Sequence, residues 1–108
     1  MKNWYDIPGW FDFQDIYSRV VNESFGGVFV EVGSWLGRSA VYFAEQVVAK
    51  SQERVCWRTD EETQLHCVDT WEGSEEHKLY VAQHDVYAEF CENVDGWIRG
   101  GYIVPVRK

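Results

Sequence analysis

The chain has 108 residues, which is room for one small domain with a single core. A hydrophobic fraction of 45% with 17% aromatics excludes a disordered chain and points to a folded globular unit. A net charge of −8 repels a phosphate backbone and excludes broad nucleic-acid binding; no apolar run approaches the length of a membrane span.

The N-terminus, Met1-Lys2-Asn3-Trp4-Tyr5-Asp6, lacks the apolar core of a signal peptide, so the expected location is cytoplasmic. Trp4 to Phe13 is rich in aromatics, with Ile7-Pro8-Gly9 as a turn. Asp12 is a candidate N-cap for a helix running to about Glu23. Phe13, Ile16, Tyr17, Val20 and Val21 recur at helical spacing and form its apolar face. Gly26-Gly27 stops it.

Val28 to Val32 is a short apolar run without alternation, expected to be a central strand buried on both faces. It ends in Glu31, then Gly33, and a second glycine follows at Gly37 before a helical pattern over Arg38 to Lys50. Ala40, Val41, Phe43, Ala44, Val47 and Val48 make that helix's stripe. Such a loop brings bare backbone near a ligand, beside the free N–H groups of a helix start. An ordinary strand-loop-helix corner has the same glycine spacing.

Ser51 to Thr63 is a charged connection, with Val55-Cys56-Trp57 able to dock it. Leu65 to Val68 is a second strand, ending in Asp69, with Thr70 to Ser74 as the loop above it. Glu75 to Lys78 is polar and Tyr80 to Asp85 is ambiguous between helix and loop. His77 and His84 fall here; histidine is the side chain suited to proton transfer near neutral pH, but their surroundings read as surface. Val86 to Val94 fits a helix, Asp95-Gly96 and Gly100-Gly101 are breakers, and Tyr102 to Val106 is a third strand. Pro105 suits a sheet edge, since proline has no N–H to give a ladder.

Cys56, Cys67 and Cys91 are an odd number without framework spacing and read as reduced thiols. Cys56, His66, Cys67 and His77 include no C-x-x-C pair, and neighbours in a strand point to opposite faces, so no metal site is expected.

The two acid-ended strands, Glu31-x-Gly33-x-x-x-Gly37 within Gly33-Ser34-Trp35-Leu36-Gly37-Arg38-Ser39, and Val68-Asp69-Thr70-Trp71-Glu72-Gly73, resemble the S-adenosylmethionine-dependent methyltransferases of Rossmann-like fold. The resemblance runs from about Trp10 to Lys108. It implies an α/β fold: a half-sheet of about three parallel strands in the order 3-2-1 with flanking helices in three layers. Residues 1–26 would form the N-terminal segment and helix, and residues 27–108 a β-α-β-α-β unit. Relative to the seven-stranded fold of that family, residues 1–108 are then one partial domain, the cofactor-binding half. Its first strand should keep an open edge, completed by a second copy or another chain.

The resemblance also implies the cofactor, S-adenosylmethionine, and the roles of residues around it. Gly33, Ser34, Trp35 and Gly37 would run along its methionine part, and Glu31 would meet the ammonium group directly or through water. Ser39 and the helix start would take the carboxylate. Asp69 would accept the ribose hydroxyls, with Thr70 and Trp71 lining the adenosine, and Trp10 to Tyr17 would close over the pocket. The reaction would be methyl transfer to an oxygen or nitrogen acceptor; neither the acceptor nor a catalytic residue is specified. Trp35 stands where many such enzymes have a glycine. A catalytically inactive module used for assembly, and another nucleotide binder such as a nicotinamide-dependent enzyme, are the alternatives; the latter wants Gly-x-Gly-x-x-Gly, which Ser34-Trp35 does not supply.

Overall fold

A computed structural model describes residues 2–24, 26–53 and 63–108, with Glu53 described for its backbone only. The expectations for Val55, Cys56, Trp57 and the acidic run 60–62 fall outside the described residues. The elements are α1 (Gln14–Ser24), β1 (Val28–Val32), α2 (Arg38–Glu53), β2 (Gln64–Asp69), α3 (Lys78–Gln83), α4 (Val86–Asn93), α5 (Asp95–Arg99) and β3 (Ile103–Arg107). Short 3-10 turns cover Trp4–Asp6 and Glu75–His77. The strands form a parallel sheet in the order β1-β2-β3, the expected 3-2-1. The fold is of the three-layer α/β, Rossmann-like class: a small parallel sheet flanked by helices.

Side chains alternate across a strand, so the register assigns the faces. Phe29 and Glu31 of β1, Leu65, Cys67 and Asp69 of β2, and Ile103 of β3 share one face. The core lies there: Leu65, Cys67 and Ile103 pack with Val41, Phe43 and Val47 of α2 and Val86, Phe90 and Val94 around α4. The opposite face carries Val28, Val30, Val32, Gln64, His66, Val68, Val104 and Val106, and none of these is buried.

The valine-rich sequence of β1, without regular alternation, predicts a central strand, but β1 stands at an edge. Val28 is 64% exposed, Val30 65% and Val32 82%. Apolar composition reports surface that needs cover; among the described residues nothing supplies it. The Gln64 N–H reaches the Gly27 carbonyl at 3.2 Å and the Gly33 N–H the Val68 carbonyl at 2.8 Å. In a parallel ladder this phase turns Phe29 and Glu31 toward β2, and Val28, Val30 and Val32 direct N–H and C=O to the open edge. On the other side the Lys108 N–H meets the Asp69 carbonyl at 2.9 Å, so Ile103, Pro105 and Arg107 face outward. Pro105 thus sits on an edge, with its missing N–H at a position that has no ladder partner.

The helices depart from expectation at α1 and α5. Helix α1 begins at Gln14, with Phe13 rather than Asp12 before it, and the Tyr17 N–H bonds to the Phe13 carbonyl at 3.0 Å. Of its expected apolar face only Val21 is buried, while Phe13, Ile16 and Val20 are exposed. Asp95-Gly96 does not break the chain but opens α5, because burial of Trp97 outweighs the poor helix propensity of one glycine. The ambiguous segment is helical as α3, and Asp85 then caps α4 by accepting the Ala88 N–H at 3.1 Å.

Gly37 fixes where α2 starts. It has φ +100°, and a Cβ there would lie 2.7 Å from Val94 Cγ1 and 3.3 Å from Phe90 Cδ2. Gly37→Ala therefore combines left-handed strain with a clash and is expected to destabilise by about 2–4 kcal/mol in denaturant unfolding.

Candidate functional site

The site lies above the carboxyl ends of the strands, where the loops after β1 and β2 meet. Asp69 joins them. Its Oδ2 accepts the backbone N–H of Trp35 and its Oδ1 that of Trp71, each at 2.9 Å. Both tryptophans have left-handed backbone, φ 51° at Trp35 and 56° at Trp71. Such a conformation is uncommon for a bulky side chain and persists only when the surroundings hold it. The carboxylate supplies that hold, and the Trp71 indole N–H adds a bond to the Trp35 carbonyl at 2.7 Å. Trp71 is buried against Tyr87 and Phe90. Trp35 points its ring toward α3. It stacks on His77 with centroids 4.4 Å apart and touches Tyr80.

Glu31 sits lower, on the same face of the sheet as Asp69. It is 8% exposed. Its Oε2 accepts the Tyr17 hydroxyl at 2.5 Å and the Ser39 hydroxyl at 2.6 Å, while Oε1 has no hydrogen-bond partner among the described residues. Burial, then the charge of Glu31, holds the Tyr17 phenol well above its ordinary range. The same two causes push the Cys67 thiol up to about 12. Ser39 directs its only proton to Glu31, so an anion at the start of α2 would be met by backbone N–H groups instead.

Two hollows flank the Gly33–Leu36 crossing. One is lined by Gly33, Trp35, Asp69, Thr70, Gly73, Ser74 and His77, and spans about 450 Å³. The other is lined by Pro8, Gly9, Trp10, Gly33 to Leu36, Arg38 and Ser39, and spans about 260 Å³. A Cβ on Gly33 would meet nothing within 4 Å, so the chain there offers bare backbone to open space. Trp10, 83% exposed, stands beside the second hollow rather than closed over it.

The structure thus brings Gly33, Trp35, Asp69 and Thr70 to one hollow and Gly33, Ser34, Trp35 and Ser39 to the other. Gly37 faces α4, Trp71 lies in the core and Glu31 lines neither hollow. Two contributors were not singled out from sequence. Arg38 donates from Nη1 to the Ile7 carbonyl at 2.7 Å and covers the Trp4 ring, pinning the N-terminal segment beside the loop. Asn93 of α4 donates to the Leu36 carbonyl at 2.9 Å. His77, a proton-transfer candidate in surroundings that read as surface from sequence, lines the larger hollow. His84 lies away from both hollows, stacked on Tyr80 and bonded to Glu89 at 2.8 Å. Among the described residues no group of three metal-ligating side chains comes together, and no helix is long and apolar enough to cross a membrane.

Compared with protein-family models, with curated proteins and with solved structures, the chain matches none. The class established is that of a small three-stranded parallel α/β fold, Rossmann-like and compatible with a nucleotide or cofactor.

Asp69→Asn leaves one acceptor for two N–H groups and turns an amide against the other. The loss expected is about 1.5–3 kcal/mol in chemical unfolding, because hydrogen bonds to a charged acceptor are the stronger kind. A second outcome concerns pH. Folding favours the protonated thiol of Cys67, so stability is intact below its ordinary 9.0 and falls as pH rises toward about 12. Tyr17 acts in the same direction. Unfolding midpoints taken from pH 8 to 12 should decline, and less steeply in Cys67→Ala.

Proposed function

We propose that this chain is the cofactor-binding part of an S-adenosylmethionine-dependent methyltransferase. The reading rests on one observation: two carboxylates, Glu31 and Asp69, end neighbouring parallel strands on the same face of the sheet, below a glycine loop with a hollow on either side.

The residues present fit such a ligand. Each Asp69 oxygen accepts one backbone N–H, and a carboxylate oxygen has room for a second bond, so both could take a ribose hydroxyl. Thr70 and His77 line the same hollow beside it. Bare backbone at Gly33 leaves space for the chain of a ligand to cross between the hollows. The amino-acid end would lie near Ser34 and Ser39, its carboxylate facing the N–H groups at the start of α2. Glu31 would act through Ser39: it fixes the hydroxyl proton on itself and turns that oxygen's lone pairs toward an ammonium group. When bound, the cofactor supplies an electrophilic methyl group on a sulfonium. The contribution of this chain is to hold it in place, and positioning is a large part of what such a transfer needs.

Calorimetry with S-adenosylmethionine, S-adenosylhomocysteine and NAD tests this reading. The first two are expected to bind with Kd below about 1 mM, and Asp69→Asn to weaken both by about tenfold while the chain stays folded by circular dichroism. Tighter binding of NAD, or binding of none by a folded chain, would overturn it.

A further inference from the structure

The two edges of the sheet are built differently. The β3 edge has proline and arginine among its outward residues, the devices that keep an edge from recruiting strangers. The β1 edge has Val28, Val30 and Val32, with neither charge nor proline. Beside it runs an apolar groove of about 430 Å³ between α1 and β1, walled by Ile16, Val20, Phe29 and Phe43. Glu31 lines this groove too. It is more than nine-tenths buried, Oε2 already holds two hydroxyls, and Oε1 has no partner among the described residues. A buried carboxylate oxygen without a donor carries a desolvation penalty that a donor would remove, and a cationic one most of all.

We propose that the β1 edge binds a β-strand from another polypeptide, apolar in sequence and carrying one lysine or arginine opposite Glu31. The strand would bond to the outward N–H and C=O groups of Val28, Val30 and Val32. Its side chains would alternate between the valine face and the groove. The cation reaches Oε1 from the groove side, and a net charge of −8 favours a basic partner over any other. A second copy of this chain fits less well. Two-fold pairing of β1 through Val30 sets Phe29 of one copy against Glu31 of the other, so Oε1 gains no donor, and two acidic chains repel.

The probe is a synthetic peptide of alternating valine and leucine with one central lysine, compared with the same peptide carrying norleucine there. Amide exchange followed by NMR should slow at Val28, Val30 and Val32 with the lysine peptide, which should bind at least tenfold more tightly. Glu31→Gln should erase that preference. Val30→Lys, which leaves Glu31 untouched, should abolish binding of both peptides. Equal affinity for the two peptides, or no binding of either at about 1 mM, would overturn the proposal. So would a stable dimer in sedimentation that Val30→Lys dissolves, since the second copy would then be the occupant. The outcome is independent of calorimetry with S-adenosylmethionine, which reads the hollows and not the edge.

Discussion

One carboxylate sets the geometry of the upper end of this sheet. Asp69 ends the central strand, and its two oxygens collect one backbone N–H from the loop after β1 and one from the loop after β2. Neither tryptophan would keep a left-handed backbone unaided. With the carboxylate between them, the strain is held by charge-assisted bonds, and the indole of Trp71 closes the ring by reaching the Trp35 carbonyl. The hollows on either side of Gly33 take their shape from this arrangement.

The lower layer works differently. Among the described residues Glu31 is bound by hydroxyls alone, from Tyr17 on α1 and Ser39 on α2, so one oxygen ties two helices to the edge strand. The thiol of Cys67, paired across the sheet with Glu31, stays protonated through the neutral range. Acidity is therefore handled twice at the strand ends: by backbone amides where the carboxylate is half-buried, and by neutral donors where it is nearly enclosed.

Much of the frame was legible in the residues. The acids at Glu31-x-Gly33 and Asp69-Thr70 mark strand ends, and the stripe from Ala40 to Val48 marks α2, because both depend on neighbours in sequence. Pro105 located an edge for the same local reason. What escaped depends on distant partners. The apolar face of α1 could be read from spacing, but not that Ile16 and Val20 would stay exposed beside an open groove. The breaker Asp95-Gly96 became a helix because Trp97 has a buried place to fill. The stack of Trp35 on His77 is a contact between residues far apart along the chain that no periodicity encodes.

The close approach between the first turn of α2 and α4 has a wider meaning. Val94 and Phe90 leave no space for even a methyl group at Gly37, and Asn93 grips the Leu36 carbonyl one residue earlier. The shape of the glycine loop is thus transmitted from a helix whose other side faces solvent. A sequence change at Phe90, Asn93 or Val94, none of which lines either hollow, would reach the loop through these contacts, so the shape of that end of the sheet is partly written in a helix outside it.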